Sequence, residues 1–184
     1  MESILVKEMM IPIKDYATVS EDATLYEAVN ALKEAQKGLD RDQHQHRAVL
    51  VYSARGKIVG KVSQFDVLRA LEPKYQDVGD FKELDGYGIN ADYIRNLIKE
   101  LGLLRKPVDD ICRKAAALKV KNIMHSPSEG EYVDEAASLN EAIIQLLVGK
   151  HQSLLVTRGK DIVGILRLTD VFAKVADMIS TCEI

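Results

Sequence analysis

Gly60-Lys61-Val62-Ser63-Gln64-Phe65-Asp66 puts a hydroxyl where an extended stretch gives way to a helix, and a carboxylate three residues later. The free amides of a helix's first turn can receive an anion such as phosphate. A carboxylate there can accept both hydroxyls of a ribose, and the hydroxyl beside it can bind phosphate or sugar. That is sufficient chemistry for a nucleoside phosphate. The same residues have a purely structural use, with Ser63 capping the helix and Asp66 solvated in its first turn. Taken alone the heptad suits capping better. A partial copy, Gly164-Ile165-Leu166-Arg167-Leu168-Thr169-Asp170, shifts the balance towards a ligand, because capping does not require matching residues in two places.

Other chemistry-bearing clusters are weaker. Asp40, Asp42, His44 and His46 fall within seven residues and are suitable donors for a divalent transition metal. No Cys or distant motif completes the set, so a polar surface loop is the reading and no metal is expected. Arg105-Lys106 and Arg113-Lys114 read as solvated faces balanced by Asp109 and Asp110. No nucleophile is paired with a base and no Gly-x-x-x-x-Gly-Lys loop is present, so no catalytic residue is assigned and an enzyme is not expected.

The elements that would position the two heptads are themselves duplicated. Val6 to Pro12 recurs loosely as Val120 to Pro127, and Val19 to Ala28 recurs as Val133 to Ala142, both starting at an offset of 114 residues. Val59-Gly60 with Asp66 recurs as Val163-Gly164 with Asp170 at an offset of 104. One supersecondary unit is therefore used twice, each copy helping to bury the other's apolar face. Each copy reads strand, helix, strand, strand, helix, an α/β architecture. In the first, Ser20 or Asp22 is expected to cap a helix whose Leu25, Ala28, Val29 and Leu32 share one face. Ala48 to Tyr52 is a continuous apolar run, as in a strand covered on both sides. Ser53 to Gly56 is the turn of a hairpin, and a closing helix carries Phe65, Val67, Leu68 and Leu71. In the second copy Leu139, Ala142, Ile143 and Leu146 form the helix face, and the hairpin turns at Arg158-Gly159.

The copies span residues 1–71 and 119–184. The first holds nine additional polar residues, roughly Lys37 to Gln45. Between the copies, residues 72–118 begin with irregular chain rich in Gly and Asp (Asp77 to Gly88). Two amphipathic helices follow. Asn90 can cap one bearing Ile94, Leu97, Ile98 and Leu101, and Pro107 can open the other, with Val108, Ile111, Cys112 and Ala115. Their apolar faces, and the stripe of Leu101, Leu103 and Leu104, are expected to pack on the copies or across a dimer interface.

The 184 residues suit one domain, or two small halves sharing a core. With 47% hydrophobic and 29% charged residues the composition is that of a soluble globular protein. A formal net charge of −3 gives no footprint for nucleic acid or an anionic membrane. No apolar stretch approaches the roughly 20 residues needed to cross a bilayer. Residues 1–8 lack the features of a signal peptide, and Cys112 and Cys182 match no redox or metal spacing, so a cytoplasmic location is expected. Without Trp and with three Phe, the core must be aliphatic.

The order and duplication of Met-x-Pro-like openings, Val-x-Glu-Asp-Ala-Thr-Leu-x-Glu-Ala, a β-hairpin and Gly-x-x-Ser-x-x-Asp resemble the tandem cystathionine-β-synthase (CBS) domain pair, or Bateman module. The resemblance covers about residues 5–71 and 119–179. It implies two repeats packed through their sheets, a disc-like homodimer, and two adenosine-type nucleotide sites in the clefts between repeats. The first cleft would use Lys61, Ser63, Phe65 and Asp66, faced by His151, Gln152, Ser153 and the Met124 segment. The second would use Ile165, Arg167, Thr169 and Asp170, faced by His46, Arg47, Ala48 and the Met10 segment. Asp66 and Asp170 would hold ribose hydroxyls, the backbone where the facing strands begin would read the adenine edge, and Arg47, Arg167 and the two His would serve phosphates.

Two residues depart from the family pattern. Arg167 stands where a Ser or Thr is usual, and a guanidinium there either strengthens polyphosphate binding or fills the pocket. Lys61 stands where an aliphatic residue commonly touches the base, so the two sites should differ. The expected function is a non-catalytic sensor of an adenosyl ligand (AMP, ADP, ATP or S-adenosylmethionine) that changes conformation to control a protein partner. The alternative is a ligand-independent scaffold with vestigial clefts.

Overall fold

A computed structural model of the chain describes residues 3–37, 45–72, 91–102 and 107–181. The first copy runs β2 (Thr18–Ser20), α2 (Leu25–Lys37), β3 (Ala48–Tyr52), β4 (Ile58–Ser63), α3 (Gln64–Leu71). The second runs β5 (Tyr132–Asp134), α6 (Leu139–Gly149), β6 (Ser153–Arg158), β7 (Asp161–Arg167), α7 (Leu168–Thr181). In each, a short parallel strand flanks an antiparallel hairpin, giving β2-β3-β4 and, in the second copy, β5-β6-β7. This is the strand–helix–strand–strand–helix order that the apolar patterning predicts.

Alternation along the strands sorts the apolar residues into three layers. Val49 and Val51 of β3 turn towards α2, α3 and a linker helix, α5 (Val108–Ala116), whose Ala115 joins the same cluster. Leu154 and Val156 of β6 and Leu166 of β7 turn towards α6 and α7. The intervening Leu50, Leu155 and Ile165 meet between the sheets with Tyr16, and all four are buried. Strands covered on both faces read as unbroken apolar runs for this reason. The repeats therefore pack through their sheets.

Each copy's leading segment is exchanged. α1 (Val6–Met9) and β1 (Ile11–Pro12) lie on the second copy: Val6 N donates to Ala137 O (2.9 Å), Leu139 N donates to Ile4 O (2.8 Å), and β1 extends the sheet beside β7. The corresponding segment of the second copy lies on the first. Val120 N donates to Ala23 O (2.8 Å), Leu25 N donates to Leu118 O (2.8 Å), and His125 bridges Lys61. The partners in these backbone hydrogen bonds are related by the offset of 114, and Lys61 and Ile165 by the offset of 104.

The duplicated glycines make the exchange possible. A Cβ on Gly60 would stand 2.8 Å from Met124 Sδ and 2.9 Å from His125 O; one on Gly164 would stand 2.8 Å from both Met10 Sδ and Ile11 O. The methionine can move, but a paired carbonyl cannot. Gly60→Ala and Gly164→Ala should each cost about 1–3 kcal/mol by overpacking, readable as a lowered urea midpoint. Ala substitutions at the exposed turn glycines would not share this clash.

Two expectations need correction. Thr24, not Ser20 or Asp22, caps α2: its Oγ1 accepts from Glu27 N (3.3 Å) while Glu27 Oε2 accepts from Thr24 N (2.6 Å). Ser20 Oγ instead accepts from Asp22 N in the preceding turn (3.2 Å). The second concerns α4 (Ala91–Leu101): of the two packings expected for its apolar face, on the copies or across a dimer interface, exposed Ile94 and Ile98 do not make the first. Pro107 is the N-cap of α5. Residues 38–44 of the insert, residues 73–90 (Asp77 to Gly88 and the Asn90 cap among them), residues 103–106 and Cys182 lie outside the described residues, as do the side chains of Leu97 and Leu101. No described helix is long and apolar enough to cross a membrane.

Candidate ligand-binding clefts

The ends of β4 and β7 deliver the two heptads to the boundary between copies, and each meets the start of the facing copy's central strand. In the first cleft Ser63 and Asp66 form a capping box. Asp66 Oδ2 accepts from Ser63 N (2.8 Å) and Oγ (2.6 Å), while Ser63 Oγ accepts from Asp66 N (3.2 Å). Asp66 is buried, and its other oxygen lies 3.8 Å from Arg69.

Lys61 crosses the cleft. Its Nζ donates to Glu131 Oε2 (2.7 Å) and lies 3.4 Å from Ser153 Oγ. Glu131 Oε1 meets His125 Nε2 at 2.5 Å and accepts from Ser128 N at 3.1 Å. The Glu131 side chain is only 4% exposed. Burial pushes its carboxyl up, but the hydrogen bonds from Lys61, His125 and Ser128 outweigh that and hold it at about 2. It is an anion throughout the neutral range.

The second cleft is built differently. Arg167 Nε and Nη2 donate to Asp170 Oδ2 and Oδ1, both at 2.6 Å, in a fork three residues long. Nη1 lies 3.2 Å from His46 Nδ1 across the boundary. A guanidinium cannot accept, so His46 Nδ1 is the acceptor and the imidazole is neutral. Burial, then the neighbouring guanidinium, lowers its pKa in agreement. Tyr16 packs edge-on to His46, ring centroids 4.3 Å apart, and its hydroxyl bonds the backbone of Ala48. Burial is the main cause that pushes the phenol up to about 12.

The anticipated residues divide accordingly. Lys61, Ser63, Asp66 and Ser153 come together in one cleft, with Met124 seated over Gly60; Arg167, Asp170, His46 and Ala48 come together in the other, with Met10 over Gly164. Ile165 is committed to the core between sheets. Arg47 and Gln152 are exposed above the clefts and Thr169 is half-buried. Phe65 is 68% exposed on α3 with the Arg69 guanidinium 5.6 Å from its ring, and the His151 imidazole packs against Gly149 at the end of α6 and lies near Gly130. Tyr16, His125 and Glu131 are members that motif matching passes over. For His125 and Glu131 the signal is in the offset: with Lys61 they correspond to Ile11, Ala17 and Ile165, three ionisable residues against three apolar ones. Among the described residues no group of three His, Cys, Asp or Glu could hold a metal; Asp40, Asp42 and His44 lie outside them.

The CBS-domain family model matches residues 6–73 and 120–177, both copies. The chain belongs to the CBS-domain family. Among curated proteins none matches it. Solved CBS structures share its fold at low identity. CBSX2, solved in complex with AMP, is 18% identical, with 95% of this chain and 98% of that one covered and a TM-score of 0.56. The CBS domain of the bacterial CNNM/CorC-family Mg2+ transporter, solved in complex with ATP, is 18% identical, with 94% and 87% covered and a TM-score of 0.57. MJ1004 from Methanocaldococcus jannaschii is 17% identical with a TM-score of 0.57; 95% of this chain is covered but only 60% of MJ1004.

Proposed function

We propose that this CBS pair is a non-catalytic regulatory module that binds a phosphorylated adenosyl ligand in the cleft between its repeats. The observation that carries the reading is the part-buried Arg167–Asp170 fork at the start of α7, with His46 of the other repeat on the same guanidinium. A carboxylate for ribose and a cation for phosphate thus stand where both repeats meet, with Tyr16 and His46 as an aromatic wall. CBSX2 with AMP and the CNNM/CorC domain with ATP support the ligand class. A ligand touching both repeats shifts their orientation only as far as it binds one orientation better. In the same reading the module is cytoplasmic, passes that shift to a protein partner, and forms a homodimer. Exposed Ile144 and Leu147 on α6 and Phe172 and Ile179 on α7 offer an apolar surface for self-association.

Thermal unfolding with AMP, ADP, ATP and S-adenosylmethionine, each at about 1 mM, tests the proposal. A ligand with Kd near 10 μM adds about 2.7 kcal/mol of stability, and Asp170→Ala should abolish the shift. The scaffold reading has its own observation: both carboxylates are already satisfied within the chain, Asp66 by Ser63 and Asp170 by Arg167. It predicts no shift with any of the four.

A further inference from the structure

We infer that the chain carries one nucleotide rather than two, because the first cleft is closed by an ion pair of its own and only the second is chemically suited to an anionic ligand. This rests on the nucleotide reading above and narrows it to one site.

The argument compares corresponding positions. Where the second cleft has Ile165, Ala17 and Ile11, the first has Lys61, Glu131 and His125 joined by hydrogen bonds. Lys61 reaches from β4 of one repeat to Glu131 just before β5 of the other, so the pair bolts the cleft shut from both walls. Both Glu131 oxygens are engaged, and Lys61 is spent on Glu131 and Ser153. To enter, a ligand must break a buried, hydrogen-bonded pair and set its phosphate beside a stranded carboxylate.

Charge points the same way. The second cleft has Arg167 and Arg47 where the first has Ser63 and Gln152, and neutral Ala17 where the first has Glu131. The Arg167 fork closes within one helix end rather than across the cleft, so Nη1 can exchange His46 for a phosphate oxygen without uncoupling the repeats.

Equilibrium dialysis of the full chain against radiolabelled AMP and ATP counts the sites. One mole per mole of chain is expected, lost in Asp170→Ala. Two per chain would overturn the inference while leaving the nucleotide reading intact; none would overturn both. The double variant Lys61→Ile/Glu131→Ala, which installs the second cleft's own residues, should raise the count to two. Should it not fold, as judged by circular dichroism, Lys61→Met/Glu131→Gln keeps the volume while removing both charges. A count that stays at one in a folded double variant would show that the ion pair is not what closes the cleft.

Discussion

Glu131→Ala alone is expected to destabilise the protein by about 3–5 kcal/mol, whereas Lys61→Ile/Glu131→Ala together should fall within about 1 kcal/mol of the unmodified chain. The asymmetry follows from burial. Removing one partner leaves an ammonium in a site where the remaining neighbour, Ser153, is a neutral hydroxyl 3.4 Å away. Removing both leaves positions whose counterparts, Ile165 and Ala17, already pack in this fold. The surface pair Arg158–Glu135 has comparably short contacts, 2.5 and 2.9 Å, but the arginine is exposed, so Arg158→Ala should change little. Short distance does not decide the outcome; desolvation does.

Acid gives the same pair a second readout. Glu131 is held at about 2 in the folded protein, against 4.5 for a free glutamate. Its contribution is complete above pH 4.5 and is lost as the pH falls from there towards 2, where the folded state also takes up the proton. The shift corresponds to a contribution on the order of 3 kcal/mol. Urea unfolding between pH 7 and pH 3 should therefore show stability falling below about pH 4.5, with a shallower slope in the double variant. A slope unchanged by the double substitution would mean that other carboxylates dominate acid unfolding.

The parts of this molecule that can be read from sequence are those with a periodic signature. Leu25, Ala28 and Leu32 announce α2, and the unbroken runs at 48–52 and 153–156 announce strands covered on both faces. The hairpin turns at Gly56 and Gly159, where positive φ values of 73° and 61° suit glycine, are legible for a local reason. The exchange of leading segments leaves almost no such trace, because its hydrogen bonds join backbone to backbone and β1 is two residues long. Only the Met–Gly pairing, Met10 with Gly164 and Met124 with Gly60, betrays it. At the clefts, a family motif identifies Asp66 and Asp170 but cannot tell what already satisfies them. Glu131 is invisible to a motif because its meaning lies in Lys61, 70 residues away. Comparing the chain with itself, position by position, exposes both.

Arg167→Ala should weaken binding of AMP and ATP by about 10- to 100-fold, and adenosine should bind the unmodified chain too weakly to detect. Two opposing effects are in play. The fork to Asp170 withholds from a ribose the carboxylate it would use, so on that count the guanidinium obstructs. Against this, a phosphate offers Arg167 a charge-assisted partner in place of neutral His46, a gain of about 1.5–3 kcal/mol, or about one to two decades of affinity. A nucleoside suffers the obstruction and brings no compensation; a nucleotide brings it. Arg167→Ser restores the hydroxyl that stands at this place in the first cleft, where it bonds Asp66; it exchanges a charged two-pronged hold on Asp170 for a neutral single one, improving adenosine binding while still costing affinity for ATP. Arg167→Lys should not rescue ATP, since a point charge cannot hold Asp170 in a fork and a phosphate at the same time. Isothermal titration of the three variants with adenosine, AMP and ATP separates the effects. Tighter ATP binding by Arg167→Ala would show that the guanidinium is a plug, with obstruction outweighing attraction.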